Sequence, residues 1–260
     1  MRGIVLAGGT GSRLAPLTTV VNKHLLPVYD KPMIHYPIAT LMLAGVRELL
    51  LVVRPRDRKQ FEELVGNGSQ WGIQIEFAEQ ENAAGIAEAL IIGRKFVGAQ
   101  PFALILGDNL FHGAHLGESL RDRFSNERAT IFSYEVADPT AYACVSIDQR
   151  GRPESLVEKP LSPDSNLAVP GLYFFPPDAP EIASRIKPSD RGELEITDVN
   201  REFLAQGRLD VIPLPRGTSW MDTGTVDALL DAGNYVRILE QRQGLPIGAP
   251  TEIALRSHWI

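Results

Sequence analysis

The feature that most constrains this chain is a rhythm. Through its first half, short unbroken apolar runs alternate with stretches of helical periodicity. The runs at 4–7, 48–53 ("ELLLVV"), 73–77, 102–106 ("FALIL") and 130–136 read as strands, and 34–44, 57–65, 86–96 and 116–124 read as helices. Continuous apolar strands fit burial on both faces. Their alternation with helices predicts an α/β fold: a Rossmann-like, mostly parallel mixed sheet flanked by helices. After about residue 138 the rhythm changes. Strand-like segments at 143–147, 154–157, 169–175 and 209–214 are separated by Gly, Pro and Ser, with helices only at 177–186 and 196–205. A last helix is expected from 225 to about 243. These patterns suggest one domain over 1–260, in which a small mixed-strand region is added at the ligand edge of the sheet.

Composition removes several classes of function. At 260 residues, 44% hydrophobic, the chain can bury a substantial core. A net charge of −6 argues against nucleic acid as the main partner, which calls for a basic excess. One cysteine, Cys144, allows neither an internal disulfide nor a thiolate zinc cage, and its strand-like setting predicts a buried structural thiol. The first apolar run is short and broken by glycines, unlike a secretory leader, and no apolar stretch of roughly 18 residues could span a membrane. A cytoplasmic protein is expected. His112 and His115 in "HGAH" have metal-ligand spacing but no further ligand nearby, which fits a surface loop. Met33, Leu41 and Met42 are expected in the core.

The stretch "LAGGTGSRL" follows the first strand. It is not a dinucleotide fingerprint, because Leu14 stands where the third glycine belongs. Nor is it a Walker A loop, because Gly9 stands at the lysine position. What remains is either a strand-to-helix turn that needs glycine for its geometry, or a loop whose backbone N–H groups approach phosphate oxygens, with Arg13 beside it as a forked cation. Lys23 in "NKHLLPV" could reach the same phosphates. "FALILGDN" ends a buried strand in Asp108, and ligands of open α/β sheets bind beyond such carboxyl ends. A carboxylate there suits Mg²⁺, which takes one or two carboxylates plus phosphate oxygens. "SWMDTGT" offers a second isolated acid, Asp222. Each Asp alone is equally consistent with a turn or a cap.

Together, "GIVLAGGTGSRLAPLT", "NKHLLPVYDKPMIHYPI", "LMLAG", "GSQWG", "LILGDNLF", "VEKP", "GLYFF", "RGELEITDVN" and "WMDTGT" resemble the sugar-1-phosphate nucleotidylyltransferases, in particular the glucose-1-phosphate thymidylyltransferases. The resemblance is co-linear over essentially the whole chain. It implies the nucleotide-diphospho-sugar transferase fold, with a nucleotide-binding part at 1–137, a sugar-binding part at 138–224 and a helical part at 225–260. It also implies a reaction: dTTP and glucose 1-phosphate give dTDP-glucose and pyrophosphate, with Mg²⁺ as cofactor and a homo-oligomer as the working form.

Carried onto this chain, the resemblance assigns triphosphate binding to Gly8, Gly9, Thr10 and Gly11, pyrophosphate to Arg13 and the α-phosphate to Lys23. Asp108 and Asp222 would hold the metal, and Leu6, Gln80 and Gly85 would line the base site. Lys159 and Arg191 would grip the sugar phosphate, and Asn109, Tyr142, Ala143, Glu158, Val169 and Gly171 would surround the sugar. Arg13, Lys23, Asp108 and Lys159 form the implied catalytic set. The chain departs from its relatives at His24, usually Gln; at Ala143-Cys144, usually Gly-Val; and at Pro170, usually Thr. These changes fall around base and sugar, so UTP and other sugar or cyclitol 1-phosphates stay open as substrates. A non-catalytic nucleotide-sugar sensor would not need to keep the pyrophosphate and metal groups, and a nicotinamide oxidoreductase would need the fingerprint that is missing.

Overall fold

The computed structural model describes residues 1–260, which form two compact units. The first comprises Met1–Ala83, Ile105–Asp122 and Gly217–Ile260; the second comprises Ala84–Leu104 and Arg123–Arg216. The chain therefore enters and leaves each unit more than once.

The first unit carries the parallel strands Arg2–Ala7, Glu48–Val53 and Gln74–Glu79, with Ile4 opposite Leu50 and Val52 opposite Ala78. Ile4, Val5, Leu51 and Val53 are fully buried or nearly so, as their unbroken apolar runs require. The helix His35–Leu43 is apolar nearly all round and is buried along most of its length, Met33, Leu41 and Met42 with it. Pro37 falls in its first turn, where a missing N–H costs nothing. The amphipathic helix Arg58–Val65 turns Phe61 and Val65 inward. Two short strands, Asn109–His112 and Ser219–Asp222, pair antiparallel and bring Asp222 opposite Asn109. The helix Val226–Gln243 starts at Thr225, whose hydroxyl accepts from Ala228 N–H, and stops at left-handed Gly244. Its Ala232 and Val236 pack on Val28, Tyr36, Leu110 and Ile247.

In the second unit, Ala129–Glu135 pairs parallel with Leu209–Pro213 and antiparallel with Leu172–Phe175 and Leu167–Ala168. The hairpin Ala143–Ile147 and Pro153–Glu158 extends this arrangement. Phe175 stacks on Phe203 of the helix Ile196–Ala205, and Phe174 meets Phe124 and Phe132 edge to face.

Four expected elements have the bounds read from sequence: Glu48–Val53, Phe102–Leu106, Ala143–Ile147 and Ile196–Ala205. Of the strand expected at 169–175 only Leu172–Phe175 forms, and a separate two-residue strand, Leu167–Ala168, precedes it. Pro170 lies in the break and has no N–H for a ladder; its carbonyl accepts instead from Leu172 N–H. The helix expected at 177–186 is confined to Ala179–Ala183, and the one at 116–124 ends at Arg121. The helix ending at Gln243 is not the last, because Pro250–Arg256 follows it.

Candidate functional site

The glycine loop leaves the strand Arg2–Ala7 and turns at Gly11, whose φ of 69° is left-handed. A single 3-10 turn, Ser12–Leu14, then buries Leu14 and leaves Arg13 exposed. The loop consists of glycines because side chains lie against it. A Cβ on Gly8 would come 2.2 Å from Gln80 Oε1, and one on Gly9 would come 3.2 Å from Lys23 Cε. Leu6, Gly8, Gly9, Gly11, Lys23 and Gln80 are thus brought together, with Thr10 exposed at the tip. Thr18 clamps the loop by donating its hydroxyl to Gly11 O, at 2.7 Å.

Lys23 Nζ forms an ion pair with Asp108 Oδ2, both side chains nearly buried. Gly107 N–H donates to Leu6 O and carries Asp108 to the end of the glycine-loop strand. Asn109 donates its amide N–H to Asp108 Oδ1 (3.0 Å) and accepts from Trp220 Nε1–H (2.6 Å). Thr223 donates both its backbone N–H and its hydroxyl to Asp108 O. These bonds fasten Asp222 beside Asp108. Arg13 Nη2 stands 4.0 Å from Asp222 Oδ2, and a Cβ on Gly224 would come 2.6 Å from that same nitrogen. The absence of a side chain at 224 is what lets Arg13 reach this carboxylate.

The two acids titrate in opposite directions. Burial, and then the charge of Asp108, push Asp222 up to about 6. Burial also opposes ionisation of Asp108, but the Lys23 ammonium and the hydrogen bonds from Lys23 and Asn109 outweigh it and hold this carboxyl well below the usual range. Two acids sharing one buried place, one of them disfavoured as an anion, is an arrangement that a divalent cation relieves. His24, beside Lys23, is lowered to about 3 by burial and then by the Lys23 charge, so it stays neutral.

The second unit gathers a different cluster. The hairpin strand Pro153–Glu158 ends in Glu158, and Lys159 follows with a left-handed φ of 43°. Its N–H donates to Tyr142 O (3.1 Å), and Val169 N–H donates to Ala143 O (2.8 Å). Tyr142, Ala143, Glu158, Lys159 and Val169 are thereby tied together, with Gly171 just beyond in the Pro170 break. Arg191 Nη2 lies 2.8 Å from Glu195 Oε1, 3.3 Å from Glu158 Oε1 and 3.7 Å from Glu193 Oε2. Thr197 donates to Glu158, and Ser189 to Glu195. Gly85, with φ 110°, rests on the backbone of Leu194, where any Cβ would be 2.4 Å from the carbonyl oxygen. Cys144 is buried, as expected, and burial raises its thiol.

Several placements differ from the sequence reading. Asn109, expected at the sugar, is buried with its amide engaged by Asp108 and Trp220, so it braces the acid pair. His112 ends a strand and meets Tyr235 Oη, so it is not a loop residue, while exposed His115 meets Glu118. Sequence reasoning missed Asn22, Arg54, Asp57, Glu195 and Thr197, all hydrogen-bonded to or around the expected residues. Asp57, expected inside a helix over 57–65, instead stands just before the helix Arg58–Val65, and its side chain caps no helix N–H.

A family model for nucleotidyl transferases matches residues 2–237, and the chain belongs to this family. It is 52% identical over 260 residues to the glucose-1-phosphate thymidylyltransferase of Mycobacterium tuberculosis, covering all of this chain and 90% of that protein. It is 49% identical over 260 residues to the enzyme of the same name from Xanthomonas campestris, covering 88% of it. Within the family the chain therefore groups with the glucose-1-phosphate thymidylyltransferases. Among solved structures, a Bacillus anthracis protein assigned as a glucose-1-phosphate thymidylyltransferase, in complex with a sucrose, matches with a TM-score of 0.84 at 35% identity, over 91% of this chain and 95% of that one. A UDP-glucose pyrophosphorylase complexed with UDP-glucose matches with a TM-score of 0.80 at 26% identity, over 92% and 98%.

Proposed function

We propose that this chain transfers the thymidylyl group of dTTP to α-D-glucose 1-phosphate. An oxygen of the sugar phosphate bonds to the α-phosphorus while the bond to the β-phosphate oxygen breaks, so dTDP-glucose forms and pyrophosphate leaves. The observation that carries the reading is the meeting of Arg13, Lys23, Asp108 and Asp222, from four separate stretches, at the glycine loop. Such a transfer needs neutralised charge and alignment rather than a protein nucleophile. The backbone of Gly8, Gly9, Thr10 and Gly11 donates to the triphosphate. Lys23 exchanges Asp108 for the α-phosphate, and Arg13 follows the departing pyrophosphate. Leu6, Gln80 and Gly85 are the residues assigned to the base. Lys159 and Arg191 hold the sugar phosphate, while Glu158, Tyr142, Ala143, Val169 and Gly171 select the sugar.

Asp108 and Asp222 suit Mg²⁺: one carboxylate is buried and the other half-buried, and burial and its neighbour keep Asp222 from ionising easily. When bound, the ion supplies charge neutralisation at the phosphates. The reading also makes the protein a cytoplasmic homo-oligomer. No helix is long and apolar enough to cross a membrane, and Val226, Leu230 and Ile238 are exposed along one helix, as at a contact between copies.

The test is a panel of dTTP and UTP against glucose, galactose and glucosamine 1-phosphates and a cyclitol phosphate, with Mg²⁺, read as pyrophosphate release. The highest kcat/KM is expected for dTTP with glucose 1-phosphate. Release from no pair overturns the enzymatic reading, and binding of dTDP-glucose without release would identify a sensor.

A further inference from the structure

Behind Lys23 runs a buried polar chain that the phosphate chemistry does not touch. Asn22 is 1% exposed and opens the turn Lys23–Leu25. Its Oδ1 accepts from His24 backbone N–H at 2.9 Å and lies 2.8 Å from His24 Nδ1. Its Nδ2 donates to Asp57 Oδ2 at 2.7 Å and to Ala7 O at 3.3 Å. Asp57 Oδ2 also accepts from Arg54 Nε–H at 2.6 Å.

The orientation of every group follows from one fact. A backbone N–H can only donate, so the Asn22 atom facing it is the oxygen, and the amide nitrogen must face the two acceptors. The same oxygen faces His24 Nδ1, which must therefore carry the hydrogen, so the neutral ring is the Nδ1–H tautomer. A Cβ on Gly107 would come 2.7 Å from this ring and one on Gly9 would come 4.0 Å from it, so the ring is held between two glycines. Lys23 thus has both sequence neighbours locked, Asn22 by Asp57 and His24 by Asn22.

Stability alone does not account for Asp57. It stands immediately before the helix Arg58–Val65, where an Asp ordinarily caps, yet its side chain turns inward and is buried with Arg54. Burying such a pair costs desolvation that apolar packing would avoid.

We infer that Asp57 is a positioning residue for nucleotidyl transfer, acting through Asn22 to hold Lys23 where the α-phosphate receives its charge. The inference rests on the enzymatic reading above. Small misplacements of an aligned charge cost rate more than ground-state affinity.

The experiment is Asp57→Asn, with Asn22→Ala as the second variant in case the first does not fold, each assayed with dTTP and glucose 1-phosphate. The expected result is a kcat reduced about 10- to 100-fold, with both KM values within about threefold of wild type. In a Lys23→Ala background the same substitutions should lower single-turnover rates by less than about twofold, because the group they position is gone. A kcat within about twofold of wild type in the folded variants, a loss confined to KM, or losses that multiply in the Lys23→Ala background would overturn the relay and leave the enzymatic reading standing. Two folded-out variants would show a structural role and overturn it too. Absence of turnover in the wild type would sink both.

Discussion

The two charged clusters are built on opposite plans. In the first unit, Lys23 and Asp108 have side chains only 12% and 11% exposed, and backbone, Asn109, Trp220 and Thr223 hold the acid in place. In the second, Lys159 and Arg191 are 46% and 41% exposed, and Arg191 is shared among Glu158, Glu193 and Glu195. An acid buried and bonded in this way is set before substrate arrives, as transition-state stabilisation requires. An exposed arginine among carboxylates can turn to an anion at small cost, as substrate capture requires. The first cluster should therefore govern rate and the second affinity.

The largest expected effect is on rate. Asp108→Asn should lower kcat by about 10³-fold, with a much smaller change in the KM for glucose 1-phosphate; steady-state kinetics in both substrates will show it. Arg191→Ala should act the other way, raising the KM for glucose 1-phosphate by about 10- to 100-fold and leaving that for dTTP nearly unchanged. If both variants lose the same parameter, the contrast between the clusters fails.

Two glycines sharpen the contrast further. An alanine at Gly224 meets the far end of the flexible Arg13 side chain and the Asp222 carboxylate (Oδ1 at 3.0 Å), whereas one at Gly107 meets Leu6 O at 2.9 Å and the buried His24 ring. Gly224→Ala should keep the unfolding midpoint and weaken product inhibition by pyrophosphate about tenfold, as the loss of one charge-assisted contact would do. Gly107→Ala should lose about 1–3 kcal/mol of stability in denaturant unfolding.

The smallest effect is a pH-dependent one. Asp222, raised to about 6, favours folding below its unfolded pKa and loses that contribution as pH rises through 6. Asp108, held low, behaves in the opposite sense, and its contribution is lost only as pH falls below the usual carboxylate range. His24, lowered to about 3, loses its contribution as pH falls below about 6.5, so it opposes Asp222 between pH 4 and 6 and must be cancelled. The difference in Tm between wild type and Asp222→Asn cancels it. Without divalent cation, the variant should gain on the wild type between pH 5 and 7.5; with Mg²⁺ the gain should shrink. A difference independent of pH would remove the acid pair from the account.

Much of this was legible in the residues themselves. Continuous apolar runs announced the buried strands, and the rule that ligands gather at strand carboxyl ends pointed from "FALILGDN" to Asp108. The glycines of "LAGGTGSRL" signalled a close approach, although the partners Gln80 and Lys23 could not be read from them. The four-residue strands Asn109–His112 and Ser219–Asp222 are too short and mixed to show a period, so the ladder that places Asp222 was invisible. Asn22 and Asp57 are 35 positions apart, and Asn109 and Trp220 are 111 apart. Hydrogen bonds of that span leave no local trace.

The most direct test of the metal–phosphate centre is pyrophosphate release from dTTP and glucose 1-phosphate as divalent cation is removed with a chelator and Mg²⁺ is then returned. Release should stop and resume in the wild type, and Asp108→Asn should show little of it in either condition. Wild-type turnover unaffected by the chelator would contradict the account.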